Sequence, residues 1–87
     1  MQDTITVEIM TKNDCCLCDT AKEIVVSVLK DYPARLNLTD IESDPTLLEL
    51  YKEKIPVVLI DGEISFVHKV HEITLRKKLD KITGLRL

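Results

Sequence analysis

Cysteine occurs at positions 15, 16 and 18 and nowhere else in the chain. Cys15 and Cys18 form a C-x-x-C pair, and the apolar residues that follow repeat at helical spacing. A helix start presents unpaired N–H groups and the positive end of the helix dipole. Both stabilise a thiolate, which is the nucleophilic form of cysteine. The first cysteine falls at the exposed helix start. The second falls a turn inside, where it is less accessible and less easily ionised. The chemistry expected of this pattern is thiol–disulfide exchange: Cys15 attacks a disulfide and Cys18 resolves the mixed disulfide. Lys12 and Asp14 flank the pair and act on it in opposite directions, the cation favouring a thiolate and the carboxylate opposing it.

The spacing alone does not decide the chemistry, because zinc sites also use C-x-x-C. Cys16 complicates it further. A disulfide between adjacent residues is strained, so the working bond is expected between Cys15 and Cys18. Cys16 itself reads as a small residue at the helix start or as a third thiol for metal or intermolecular capture.

The surrounding elements are marked by turn residues. Ile5, Val7 and Ile9 alternate with polar residues, which predicts a strand over about 4–10. Cys18, Ala21, Val25, Val28 and Leu29 predict a helix over about 16–31, closed by Pro33. Leu36 and Leu38 predict a strand over about 35–40. Asp44-Pro45 is a cap and first-turn signal for a helix to about 53. Val57-Val58-Leu59-Ile60 is a continuous apolar run, as expected of a strand buried on both faces. Asp61-Gly62 predicts a hairpin turn to a partner strand from Ile64 to Val67. A last helix spans about 71–82, with Gly84 as its C-terminal cap. The order β-α-β-α-β-β-α predicts an α/β fold: one domain over 1–87, a four-stranded mixed sheet, its first two strands parallel, and helices on both faces.

Composition bounds the partners. The chain is 45% hydrophobic and 31% charged, which suits a folded core built from Ile, Val and Leu. A net charge of −3 and a near absence of aromatics set it against nucleic-acid and acidic-membrane binding. Lys69, Arg76, Lys77, Lys78 and Lys81 read as a solvated helix face. The first residues show no secretory signal and no window suits a bilayer, so a cytoplasmic monomer is expected.

The stretch Thr11-Lys12-Asn13-Asp14-Cys15-Cys16-Leu17-Cys18-Asp19-Thr20-Ala21-Lys22, the Asp40-Ile41-Glu42 that ends the second strand, and Ile55-Pro56-Val57-Val58 followed by Asp61-Gly62 together resemble the glutaredoxin-like branch of the thioredoxin fold, in its C-x-L-C form. The resemblance covers about residues 4–82 and implies the same element order. It implies a cis peptide bond before Pro56, with the proline against the cysteine pair, shielding it from metals. It also implies that the Ile55 backbone is free to pair with an extended substrate, and that Lys12 contacts a carboxylate of glutathione. Such proteins carry a Gly-Gly-(Ser/Thr)-Asp turn after the fourth strand. Here His68-Lys69-Val70-His71 stands in its place, and Cys16 stands where proline is usual. The topology puts His68 to His71 on the active-site side of the sheet. They read as a solvated loop, as an anion-binding rim in which Lys69 joins Lys12, or as ligands completing a zinc site with Cys15 and Cys18.

The resulting expectation is a thiol–disulfide oxidoreductase with Cys15 and Cys18 as catalytic dithiol and Lys12, Ile55, Pro56 and Lys69 as substrate contacts. It needs no bound cofactor. Its partners are a disulfide-containing protein or a glutathione-type substrate, with glutathione or a reductase system as electron donor. The alternatives are a metal or iron–sulfur binding module and a non-catalytic thioredoxin-fold interaction protein.

Overall fold

The computed structural model describes residues 4–86. Strand β1 (Ile5–Thr11) leads to helix α1 (Cys16–Leu29), strand β2 (Ala34–Asp40), a 3-10 turn (Ile41–Ser43) and helix α2 (Pro45–Tyr51). Strands β3 (Val57–Ile60) and β4 (Glu63–Val67) and helix α3 (Glu72–Arg86) complete the chain. The sheet order is β2-β1-β3-β4, with β1 and β2 parallel and the other neighbours antiparallel. This is the mixed four-stranded sheet expected from the element order.

The side-chain pattern explains the layers. Ile5, Val7 and Ile9 point from β1 to one face, where they meet Ala21, Val25 and Val28 of α1 and Leu75 and Leu79 of α3. On the other face Met10, Val57 and Leu59 pack with Ile41 and Ile55, and Leu47 and Tyr51 of α2 lie against them. All four residues of β3 are buried, because helices cover both of its faces. A fully buried Val or Leu contributes about 1.5–3 kcal/mol relative to an exposed one, so the two layers hold the sheet between them. Strand β2 lies at an edge, and Leu38 on it remains 47% exposed.

Local signals act as the sequence suggests. The Asp44 carboxylate accepts the Thr46 N–H at 2.8 Å and Pro45 opens α2. Asp61 and Gly62 have φ of 50° and 87°, the pair of left-handed residues that a tight hairpin of this hand requires. The Asp61 carboxylate also accepts the Thr6 N–H at 2.9 Å, tying the hairpin to β1. A shift of register between Val58 and Leu59 leaves Ser65 as the extra residue of β4.

One boundary differs in kind. Gly84 does not cap α3; it lies inside the helix, which continues to Arg86. A capping glycine takes a positive φ, and Gly62 is the only glycine that does so among the described residues.

Candidate active site

The cysteines sit where β1 hands over to α1. Asp14 takes the left-handed region at φ 59°, a conformation Asp tolerates better than most residues, and this bends the chain into the helix. Cys15 is the N-cap of α1, with extended backbone, and its sulfur accepts the Cys18 N–H at 3.2 Å. Its carbonyl accepts the Asp19 N–H at 3.1 Å. The cap position usually belongs to Ser, Thr, Asp or Asn. Here a sulfur fills that role, so the helix start aims an N–H donor and its dipole at a potential nucleophile.

The three thiols are free and differ in access. Cys16 is exposed on the first turn, Cys15 is half-buried, and Cys18 is buried at 3% exposure. Cys18 packs with Met10, Ile41, Ile55, Val57 and Leu59, and Cys15 lies against the same cluster. Burial pushes the Cys18 thiol up from its ordinary value of 9.0, and its contact with the Cys15 sulfur adds to the rise. The Thr11 side chain and the Lys12 backbone, beside the same sulfur, oppose that rise in part. The pair therefore has one reachable sulfur and one protected sulfur, side by side.

Opposite the cysteines lies the loop before β3. The Ile55–Pro56 peptide bond is cis and Pro56 is fully buried. Ile55 shares the Cys18 cluster. Its N–H is not free for an added strand, as the resemblance implied: it donates to the Tyr51 carbonyl at 3.2 Å, closing the last turn of α2.

His68 follows β4 with φ 70°, and its N–H donates to the Pro56 carbonyl at 2.8 Å and the Lys54 carbonyl at 3.2 Å. The left-handed turn thus ties the end of β4 to the proline loop. His68, Lys69, Val70 and His71 face Leu17, Thr20, Ala21 and Ile24 across a groove of about 240 Å³. Lys12 lies elsewhere. It lines a separate cavity of about 200 Å³ with Thr11, Asn13, Asp14, Cys18 and Asp40 among others. Lys12 and Lys69 therefore do not share one cleft, and the expected common rim is divided between two. Among the described residues, no three His, Cys, Asp or Glu side chains gather as metal ligands, so the histidines do not join the cysteines.

Residues 6–80 match the glutaredoxin-like domain (DUF836). The chain belongs to that family. A Dictyostelium discoideum relative, named as a glutaredoxin-like protein YDR286C homolog, is 32% identical over 85 residues, covering 91% of this chain and 79% of its own. Among solved structures, the X. campestris protein XcR50 superposes with a TM-score of 0.73 at 24% identity, covering 86% of this chain and 96% of its own. A chloroplastic thioredoxin z superposes with a TM-score of 0.77 at 12% identity, covering 95% and 81%. At such identities the structures establish the thioredoxin fold of this glutaredoxin-like protein. No helix of its described residues is long and apolar enough to cross a membrane.

Thr11 is the site residue that sequence reading passed over. The signal was present: Thr11 continues the alternation of Ile5, Val7 and Ile9, which places it on the α1 side of β1.

Proposed function

We propose that this glutaredoxin-like protein is a cytoplasmic thiol–disulfide oxidoreductase working through Cys15 and Cys18. The observation that carries the reading is the asymmetric pair: a half-buried Cys15 sulfur capped by the Cys18 N–H, beside a Cys18 that is 3% exposed. The Cys15 thiolate attacks one sulfur of a substrate disulfide, and the other substrate sulfur leaves as a thiolate that takes a proton from solvent. Cys18, deprotonated in turn, attacks the Cys15 sulfur of the mixed disulfide. The second substrate thiol is released and a Cys15–Cys18 disulfide remains. Two electrons pass to the substrate, and a thiol donor of the glutathione or reductase type restores the dithiol.

The substrate is a disulfide in a protein or in a glutathione-type molecule. Lys12 supplies a cationic contact from the cavity it lines with Cys18, Lys69 supplies another from the groove it shares with Leu17 and Thr20 of α1, and Ile55 and Pro56 form the wall beside the cysteines. The Ile55 N–H being engaged, an extended substrate meets this wall through the Ile55 carbonyl and through side chains. The protein acts as a monomer.

Reduction of a model disulfide, supplied in parallel with a glutathione system and with a thioredoxin system, tests the reading. Cys18→Ser should accumulate a mixed disulfide through Cys15, and Cys15→Ser should abolish turnover. If neither donor supports turnover and neither cysteine reacts with mild oxidant, the reading is wrong.

A further inference from the structure

The groove between α1 and the turn after β4 has an apolar wall that reaches the cysteine loop. Leu17, Thr20, Ala21 and Ile24 recur at the three- and four-residue spacing that makes one stripe along a helix. Val70 lines the groove from the β4–α3 turn. Ala21 and Val70 are buried, whereas Leu17 is 51% exposed. The Thr20 hydroxyl is already engaged, donating to the Cys16 carbonyl at 3.2 Å. Leu17 itself stands between Cys16 and Cys18 in the first turn of α1. Across the groove, the His68 N–H is fixed to the Pro56 carbonyl at 2.8 Å, so the second wall is tied to the proline loop.

The charge of this groove differs from that of the chain. His68, Lys69 and His71 form its rim, and among the described residues no carboxylate lines it. The cavity behind Cys18 carries Asp14, Asp19 and Asp40 beside its two lysines. Glu72, in the first turn of α3, is engaged by Arg76 at 3.2 Å. A chain of net charge −3 thus presents an apolar seat with a basic rim at this one place beside its cysteine loop. At about 240 Å³ the groove is smaller than the roughly 300–1,000 Å³ of sites that enclose a whole small ligand. It suits one side chain of a larger partner.

We propose that this groove seats an apolar side chain of a substrate protein beside its reactive cysteine, with a neighbouring carboxylate held at the basic rim. The inference rests on the dithiol reading and gives its substrate class: disulfides in segments that are both apolar and acidic. Each extended residue reaches about 3.3–3.6 Å. Residues flanking a substrate sulfur bonded to Cys15 therefore come within reach of Leu17, two positions further along the chain. Covering Leu17 takes its open apolar surface out of water. Lys69 meets the carboxylate as a rim contact, which serves choice of partner more than strength. The bond chemistry is that of the dithiol: it gives two electrons to the substrate disulfide, releases two substrate thiols and becomes the Cys15–Cys18 disulfide.

Single-turnover reduction of peptide disulfides by the fully reduced protein, with no other thiol present, tests this. The probes are symmetric disulfide dimers of Gly-Glu-Leu-Cys-Leu-Glu-Gly, of the same peptide with Lys for Glu, and of the same peptide with Ser for Leu. Chromatography of the released peptide thiol gives a rate for each dimer. Division by the rate of the same dimer with free dithiothreitol removes the intrinsic reactivity of the peptide. At pH 7 and low salt the Glu/Leu dimer should react roughly tenfold faster than the Ser form and about threefold faster than the Lys form. In about 1 M salt only the second ratio should shrink. Leu17→Ser should bring the first ratio to within about twofold, and Lys69→Glu should reverse the second. Equal normalised rates for the three dimers, or either ratio unmoved by its variant, would overturn the proposal. So would oxidised glutathione reduced as fast as the Glu/Leu dimer on the same scale. Failure to reduce any dimer or oxidised glutathione would instead overturn the dithiol reading, and this inference with it.

Discussion

Access to the three thiols gives a direct prediction, because the structure separates them sharply. Cys16 is exposed, Cys15 is half-buried and Cys18 is 3% exposed. Alkylation by iodoacetamide needs both access and a thiolate. At 3% exposure, Cys18 reacts mainly when the structure opens locally, which holds it behind an open thiol. Ionisation adds to the delay: a thiol at its ordinary 9.0 is about 1% ionised at pH 7, and burial pushes Cys18 above that value. Timed alkylation at pH 7, followed by peptide mass spectrometry, should therefore label Cys16 and Cys15 well before Cys18, with Cys18 more than about threefold behind Cys16. In strong denaturant the three rates should converge to within about threefold, since fold and access are lost together. If native Cys18 reacted within about threefold of Cys16, the asymmetry on which the mechanism depends would not exist.

Further outcomes follow from the same geometry. Cys18 holds its proton to higher pH when folded than when unfolded, so its contribution to stability is complete below 9.0 and is lost as pH rises through the folded value. The urea midpoint should fall between pH 8 and pH 10, and Cys18→Ala should flatten that fall. Tyr32, raised by its bond to the Asp80 carboxylate, acts in the same direction above pH 10.0, and Tyr32→Phe separates the two. Leu79→Ala, at a fully buried position between α3 and the sheet, should cost about 2–5 kcal/mol in denaturant unfolding. Gly84→Ala should stabilise by about 0.5 kcal/mol, because the residue is helical and open space surrounds a Cβ there; a destabilised variant would mean that α3 ends before residue 84.

Most of the fold was legible because its local signals and its core pattern agree. Ile5-Val7-Ile9, Val57 to Ile60 and the Asp61-Gly62 turn each specify one element, and the faces they create must meet one another. The family followed from the same features, and the family match bears it out. Gly84 was misread because a glycine near a helix end signals a cap, yet nothing in the type of residue says whether the next turn continues. The site was legible as far as its cysteines. The engagement of the Ile55 N–H was not, since it depends on how the last turn of α2 settles beneath the proline loop. Nor was the separation of Lys12 from Lys69 into two clefts, which follows from where the β1–α1 turn and the β4–α3 turn lie in space. Thr11 was hidden by its ordinary character: a threonine closing a strand carries no signal until Cys18 is seen beside it.

The central claim is that Cys15 and Cys18 form a reversible redox pair while Cys16 stands apart. Equilibration of the protein in glutathione buffers of graded potential, followed by trapping of free thiols and mass spectrometry of the linked peptide, measures this directly. The account predicts a single two-electron transition in which Cys15 and Cys18 become linked and Cys16 remains a thiol. A linkage through Cys16, or three free thiols across the whole range, would contradict it.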